Sequence, residues 1–311
     1  MEICQRAGPR LKILVTGGAG YIGSILVPRL LEKHDVTVLD NFLFRQNSLA
    51  QLCWHKNFDV HKVDCRDALA VKPYLKRADV VIPLAALVGA PLCNANPIDA
   101  SLLNLHARME LFKNLSQSQL VIMPTTESAY GANSEVCTEE TASNPLSTYA
   151  EHALETENAL LQRDKSVSLR LATVFGMSPR MRLDLLVNDF VWRAQKDRAM
   201  VIFEGQYRRT CVHVSDVARA FIHALEKNLR GIYNVGAVTL TKISLCETIR
   251  RHTDFTFVEA DFEKDQDQRD YIVSDEKIRA TGFQPLVDLD TGIAELVKGY
   301  RTLTNTVHGN V

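Results

Sequence analysis

Short apolar runs alternate with segments of helical periodicity through the first half of the chain. The apolar runs, which are typical of buried strands, lie at Lys12–Thr16 and at residues 36–39, 79–84, 120–123 and 167–172, while residues 58–63 alternate between apolar and polar as a strand with one buried face does. Helical periodicity marks residues 21–33, about 99–115 and about 147–162. Strands that alternate with helices favour parallel pairing with helices on both faces. The pattern therefore predicts an α/β fold, a Rossmann-type doubly wound parallel sheet.

The regular alternation ends after Gly176. We therefore predict two parts. A Rossmann domain comprises residues 11–176, and residues 210–238 return to it. A smaller C-terminal substrate-binding lobe comprises residues 177–209 and 239–303. In open α/β folds a ligand commonly binds in the cleft that such an arrangement creates.

Composition restricts the kinds of partner. The chain has 311 residues, of which 46% are hydrophobic and 23% charged, as in an ordinary globular protein. A net charge of -1 gives no field to hold nucleic acid or an anionic membrane. The apolar stretches are too short for a transmembrane helix, and the seven scattered cysteines lack the spacing of a disulfide framework or a zinc site. We expect a cytoplasmic protein with no metal, nucleic-acid or membrane partner.

A glycine-rich segment joins the first predicted strand to the first predicted helix. It reads Gly17-Gly18-Ala19-Gly20-Tyr21-Ile22-Gly23. Glycine permits a tight turn and lets backbone N–H groups approach a pyrophosphate, whose charge the helix N-terminus stabilises. Asp40 ends the second strand, where a carboxylate can accept hydrogen bonds from both adenosine ribose hydroxyls and repel a 2′-phosphate. This predicts NAD rather than NADP; the alternative is a glycine turn that only packs the helix on the strand.

Polar residues also end the third predicted strand. Asp64 and Cys65 lie where the edge of an adenine would be met. The alternative is that Asp64 only caps the next helix. Asn41, directly after Asp40, is included among the expected cofactor contacts.

Further motifs follow in order along the chain. They are Leu84-Ala85-Ala86 after the fourth strand, Asn104 in the next helix, residues 125–131 at the end of the fifth strand, Tyr149 with Glu157, residues 209–216, and Arg269 ahead of residues 274–277. With them the chain resembles the extended short-chain dehydrogenase/reductase family over residues 11–303, and more narrowly its nucleotide-sugar epimerases and dehydratases. One departure is Pro83, which stands where the family usually has histidine.

The resemblance implies a site for NAD and a site for a nucleotide-diphosphate sugar. The implied cofactor contacts are Gly17, Gly20, Tyr21, Ile22, Gly23, Asp40, Asn41, Asp64, Cys65, Leu84, Ala85, Ala86, Asn104 and Tyr149. The implied substrate contacts are Thr126, Thr173, Arg180, Arg182, Arg209 and Arg269, of which the last two match family arginines that hold the diphosphate. The helices at about 99–115 and 147–162 resemble those of a family dimer interface, so we expect a homodimer.

The resemblance also implies catalytic roles for Tyr149, for Thr126 as the hydroxyl that carries the proton, and for Glu127. The family reaction begins with removal of a hydride from a sugar carbon, usually C4, so we expect an NAD-dependent epimerase or C4 dehydrogenase. A 4,6-dehydratase is the first alternative, although the family's dehydratases carry an Asp-Glu pair where this chain has Glu127-Ser128. A non-catalytic NAD-binding sensor or scaffold is the second.

Ala153 stands where the family has a lysine, four residues after Tyr149 and on the same helix face. That lysine favours the phenolate, since free tyrosine has a pKa of about 10, and it binds the nicotinamide ribose. Alanine does neither, and the preceding residue, His152, points about 100° away on a helix. We therefore expect cofactor and sugar nucleotide to bind while hydride transfer is slow or absent. Ala153 is either an engineered replacement or a natural residue.

Overall fold

The structure, a computed structural model, describes residues 10–133, 135–260 and 271–303. Its strands are β1 (Lys12–Thr16), β2 (Asp35–Asp40), β3 (Phe58–Lys62), β4 (Val80–Pro83), β5 (Leu120–Thr126), β6 (Val136–Cys137), β7 (Ser166–Leu171), β8 (Thr173–Phe175), β9 (Ala199–Ile202), β10 (Arg208–His213), β11 (Gly231–Val235), β12 (Val238–Thr241), β13 (Thr256–Glu259) and β14 (Ile272–Val273). Its α-helices are α1 (Gly23–Leu31), α2 (Ala68–Leu75), α3 (Ala90–Ala95), α4 (Pro97–Ala100), α5 (Ala107–Lys113), α6 (Thr148–Leu160), α7 (Leu186–Lys196), α8 (Val214–Glu226), α9 (Lys242–Arg250), α10 (Glu276–Ala280) and α11 (Leu289–Gly299).

Seven parallel strands form the central sheet, in the order β11-β7-β5-β4-β1-β2-β3. The chain order reverses between β1 and β4, and Thr16 at the end of β1 pairs with Leu39 on one side and Pro83 on the other. In open parallel sheets this reversal opens a crevice at the carboxyl ends of the strands. The predicted Rossmann-type doubly wound sheet is confirmed.

Each face of the sheet has its own core, because successive side chains on a strand point to opposite faces. On β1, Ile13 and Val15 pack into one core together with residues of α1 and α8. Leu14 packs into the other core with Leu75 of α2 and Leu111 of α5. Burial on both faces explains why the inner strands β1 and β4 have continuous apolar runs rather than alternating ones.

Smaller sheets lie beside the central one. Their orders are β12-β10-β8, β13-β9 and β14-β6. Strand β11 pairs with β7 at the edge of the central sheet, as a return of residues 210–238 requires, whereas β10 and β12 pair with each other. The division into a Rossmann domain and a substrate-binding lobe stays a prediction. None of the described helices is long and apolar enough to span a membrane.

The helix predicted at about 99–115 is interrupted. The chain continues from α4 through a π-helical segment, Ser101–His106, into α5. A π segment widens one turn of a helix and is frequent at functional sites. It contains Asn104, so the predicted helix is present but is not α-helical at one of the expected site residues.

Candidate active site

A cavity of ≈ 1200 Å³ opens at the carboxyl ends of the central strands. A pocket for one drug-sized ligand typically measures about 300–1,000 Å³, so this cavity has room for a cofactor and a second ligand. The predicted site residues that line it are Gly17, Gly20, Tyr21, Ile22, Gly23, Asp40, Asn41, Asp64, Cys65, Leu84, Ala85, Ala86, Asn104, Thr126, Tyr149, Ala153, Thr173, Arg180, Arg182 and Arg209.

The glycine loop is pressed against the segment that follows β4. Gly17 has a φ of 68° and donates its N–H to the carbonyl of Leu39 at 2.7 Å. A Cβ added to Gly17 would lie 2.6 Å from the backbone nitrogen of Ala85. Only glycine fits this approach, which leaves the loop backbone open to the cavity at the start of α1. The arrangement fits the pyrophosphate of NAD.

Asp40 ties the glycine loop to β2. One carboxylate oxygen accepts from the N–H of Ala19 at 3.0 Å, and the other accepts from the N–H of Phe42 at 2.8 Å and from Gln46 at 3.3 Å. Burial raises the pKa of Asp40 against the opposing effect of these hydrogen bonds. Asp40 lines the cavity, and its contact with the adenosine ribose stays a prediction.

We expect Gly17→Ala to weaken NAD binding and to destabilise the fold. The backbone conformation alone costs a non-glycine residue about 1–3 kcal/mol, and the clash with Ala85 adds to it. Calorimetric NAD titration and thermal unfolding measure both effects. Gly282→Ala is the matched control, since Gly282 has a φ of 95° but no described heavy atom within 4 Å of its added Cβ. Unchanged NAD affinity in Gly17→Ala would contradict the expectation.

Asp64 and Cys65 follow strand β3 and line the cavity. Asp64 pairs with Arg66 at 2.7 Å, and that hydrogen bonding lowers the pKa of the Asp64 carboxyl. Helix α2 is capped by Asp67, whose carboxylate accepts from Leu69 and Ala70, so the alternative role of Asp64 as a helix cap is wrong. Burial raises the pKa of the Cys65 thiol to about 12, so that thiol is neutral.

Tyr149 and Thr126 face the same cavity from neighbouring elements. Tyr149 lies in the first turn of α6, which Ser147 caps by accepting from the N–H of Ala150 at 3.3 Å. Its ring packs against a small cluster that contains Leu87. Thr126 ends β5 and its hydroxyl accepts from the N–H of Ser128 at 3.1 Å. The two predicted catalytic residues thus line the same cavity, and their catalytic roles stay predictions.

A buried ion pair fixes helix α6 to the sheet below these groups. Glu157 accepts from Arg170 at 2.5 Å, and both side chains are almost fully buried. The same carboxylate accepts from Thr125 at 3.0 Å and from Ser168 at 2.5 Å. Thr125 and Thr126 both line the cavity, and this carboxylate holds the hydroxyl of Thr125. Glu157 therefore positions α6 and β5 relative to each other.

Glu127 lies away from the cavity wall. It is 1% exposed, and the described residues that line the cavity include its neighbours Thr126 and Ser128 but not Glu127. The pKa of the Cys211 thiol is raised to about 12, mainly by burial and to a smaller extent by the negative charge of Glu127. The Glu127 carboxylate therefore lies near Cys211. This placement does not favour direct contact between Glu127 and a sugar, and its catalytic role stays a prediction.

Three of the predicted arginines lie together on the cavity wall. Arg180 stacks its guanidinium over Phe44 at 4.2 Å and donates to the carbonyl of Met181. Arg182 pairs with Asp184, and Arg209 is buried on β10. Arg269 lies outside the described residues, so its predicted diphosphate contact stays a prediction. The described arginines provide positive charge for an anionic ligand.

The sequence prediction missed three cations that line the cavity, which are Arg193, Lys242 and, on α5, Arg108. Arg108 follows Asn104 by four residues, a spacing that could have drawn attention to it. Asn104 itself accepts from the N–H of Leu87 and donates to its carbonyl, each at 2.8 Å. Asn104 therefore holds the segment after β4 in place, and Arg108 stands one turn further on.

Comparisons with known proteins identify the family of the chain. The model of the NAD dependent epimerase/dehydratase family matches residues 13–236. UDP-glucuronic acid decarboxylase 3 of Arabidopsis thaliana is 26% identical, over 98% of this chain and 92% of the relative. The UDP-glucose 4-epimerase of Thermus thermophilus, solved with NAD, is 27% identical with a TM-score of 0.82, over 94% of this chain and 99% of that chain. A dTDP-glucose 4,6-dehydratase from Streptomyces venezuelae, also solved with NAD, is 25% identical with a TM-score of 0.83, over 94% of this chain and 97% of that chain.

Proposed function

The chain belongs to the NAD-dependent epimerase/dehydratase family, and from this membership we propose that it oxidises a nucleotide-diphosphate sugar at C4, as an epimerase or a C4 dehydrogenase. The family resemblance predicted from the sequence and the predicted cofactor, NAD, are confirmed. The named relatives and structures act on UDP- or dTDP-linked sugars. A sugar joined to a nucleotide diphosphate is accordingly the proposed substrate class.

One observation carries the proposal. A single cavity is lined by the glycine loop, by Tyr149 with Thr126, and by Arg180, Arg182 and Arg209. These are the three parts that the reaction needs: a cofactor site, an acid–base pair and a positively charged wall for a diphosphate. We expect the arginines to orient the substrate so that its sugar reaches Tyr149.

The residues of the site divide the chemistry as follows. When bound, NAD accepts a hydride from the sugar carbon. Thr126 accepts the hydrogen bond of the sugar hydroxyl and passes its proton toward Tyr149, which takes it as the general base. Asp40 and the glycine loop hold the adenosine and the pyrophosphate. In an epimerase, Tyr149 then returns the proton to the oxygen after hydride has been delivered to the other face of the sugar.

The two alternatives have less support. A dehydratase needs an acid–base group beside C5 and C6 of the sugar. After Thr126 at the end of β5, the next residue that lines the cavity is Ser128, not Glu127, so the carboxylate does not face the substrate space. A non-catalytic sensor has no need for three buried or half-buried arginines on the wall of its cofactor cavity. The homodimer and the cytoplasmic location stay predictions; exposed Ile98 and Leu102, beside the proposed interface, support the former.

The test is incubation of the NAD-loaded protein with UDP-, GDP-, CDP- and dTDP-linked sugars, followed by NMR and mass spectrometry of the products. We expect a 4-keto or a C4-epimerised product from at least one of them. A 4-keto-6-deoxy product with a proton exchanged at C5 would instead identify a dehydratase. Binding of NAD without binding of any sugar nucleotide would identify a sensor and overturn the proposal.

A further inference from the structure

Arg108 is a buried cation that the proposed mechanism leaves unused. It is 8% exposed and shares the cavity wall with Tyr149 and Ala153. Its Nε is buried without a hydrogen-bond partner, and its guanidinium makes no hydrogen bond or ion pair within residues 10–133, 135–260 and 271–303. Buried charges are normally paired, because an unpaired one loses its hydration without compensation. An unpaired guanidinium at a cavity wall indicates a ligand or a reacting group as its partner.

A second buried arginine shows the contrast. The Nε of Arg163 is also buried without a partner, but its two terminal nitrogens donate to the backbone carbonyls of Leu115, Ser116 and Gln119. The fold therefore uses the terminal nitrogens of Arg163. Arg163 also lies outside the set of residues that line the cavity. Arg108 has no such structural task. The fold holds its side chain in the cavity wall without using its donors.

The charged surroundings of Arg108 are simple. Burial lowers the pKa of its guanidinium, and the anionic forms of Tyr149 on α6 and Cys65 after β3 would raise it. An arginine remains protonated even so. Cys65 is neutral because burial raises its pKa to about 12, and Asp64 beside it is paired with Arg66. Tyr149 is therefore the group whose ionised form this cation can stabilise.

We propose that the Arg108 guanidinium is the cation of this active site: it reaches the cavity from α5, stabilises the phenolate of Tyr149 and donates hydrogen bonds to the nicotinamide ribose, in place of a lysine on α6. The inference rests on the proposed function, since it assigns a residue to that same site. Guanidinium has five donors in a fixed plane, so one side chain can serve the phenolate and a ribose hydroxyl together. The methyl group of Ala153 leaves room where a long side chain would otherwise stand.

The proposal predicts that positions 108 and 153 can each supply the cation in place of the other. Lysine at 153 together with Arg108 would put two cations beside one phenol, so Ala153→Lys alone is expected to give no gain. In an Arg108→Met background the same substitution supplies the missing cation. We expect Ala153→Lys to restore what Arg108→Met removes, which a purely structural role of Arg108 would not produce.

The direct test is the pKa of Tyr149 in the full-length protein without substrate, measured by NMR with ring-labelled tyrosine and assigned with Tyr149→Phe. An opposite charge nearby shifts a pKa by about 1–3 pH units, so we expect Arg108→Met to raise the pKa of Tyr149 by that amount and Arg108→Lys to raise it less. NAD affinity, measured by calorimetry, should fall about 10-fold or more in Arg108→Met, since bonds from a charged donor are lost. Lys113→Met is the control, because it removes an exposed cation from the same helix outside the cavity.

Stability gives a further readout. Replacing an unpaired buried charge by an apolar side chain should leave the melting temperature unchanged or raise it, whereas loss of a structural arginine would lower it. If Arg108→Met does not fold, Arg108→Gln removes the charge while keeping a polar side chain. An unchanged Tyr149 pKa and an unchanged NAD affinity in a folded variant would overturn the inference. If no nucleotide sugar reacts although the pKa shifts as expected, the proposed function fails and the role of Arg108 toward Tyr149 and NAD stands.

Discussion

Tyr149→Phe is expected to lower kcat for oxidation of the nucleotide sugar by roughly 10²–10⁴-fold, the usual contribution of a positioned acid–base group. The substitution removes the phenol oxygen that takes the proton relayed by Thr126. The ring stays, and with it the packing against the cluster that contains Leu87. NAD and sugar-nucleotide affinities should therefore change little. Steady-state kinetics and calorimetry separate the two effects.

Tyr74→Phe is a matched control, because Tyr74 is a half-buried tyrosine of α2 that does not line the cavity. It should leave kcat unchanged. A Tyr149→Phe variant that keeps most of the parent activity would remove Tyr149 from the role of general base.

Glu157→Gln is expected to lower the free energy of unfolding by about 3–5 kcal/mol, the usual cost of removing one partner of a buried ion pair. The change leaves the guanidinium of Arg170 without a carboxylate, in a site that is almost fully buried. It also weakens the hydrogen bonds from Thr125 and Ser168. Because this network joins α6 to β5, activity should fall as well when Tyr149 and Thr126 lose their relative placement.

Chemical denaturation of Glu157→Gln, with Glu155→Gln as an exposed control on the same helix, measures the loss. Glu157→Gln combined with Arg170→Met should cost less than the sum of the single changes, because neither charge is then left unpaired. A Glu157→Gln protein as stable as its parent would show that the ion pair does not hold α6 in place.

The fold and the cofactor site could be predicted from the sequence because both depend on local patterns. Buried parallel strands require continuous apolar runs, and the close approach of Gly17 to Ala85 requires glycine. Thr126 could be named from the sequence because its place in the motif of residues 125–131 is counted back from Gly131, and the structure has both Thr125 and Thr126 lining the cavity. These features are set by residues that are near each other in sequence or fixed by strand geometry.

The features that the sequence did not predict depend on contacts between distant elements. Glu127 is turned away from the cavity toward β10, which no local pattern encodes. The interruption of the helix at Ser101–His106 was missed because a π segment retains the apolar periodicity of its neighbours. Arg108 lies on another helix and lines the same cavity as Tyr149, so an inspection of the sequence around Tyr149 finds only a missing lysine.

Arg108 changes the interpretation of Ala153. From the sequence, alanine at this position predicts slow or absent hydride transfer, and no comparison tests that prediction. In the structure, Ala153 and Arg108 lie on the wall of the same cavity. If Arg108 provides the cation, the small side chain of Ala153 leaves room for the guanidinium and avoids a second positive charge beside Tyr149. Turnover is then expected.

The central claim, hydride removal from C4 of a nucleotide sugar, is tested most directly with a substrate that carries deuterium at that carbon. The NAD-loaded protein is mixed with the labelled sugar nucleotide, and the cofactor is analysed by mass spectrometry during a single turnover. The account predicts deuterium in the reduced cofactor, and none with Tyr149→Phe. Conversion of the labelled sugar with no deuterium in the cofactor, or binding of cofactor and sugar nucleotide with no transfer for any member of the panel, would contradict it.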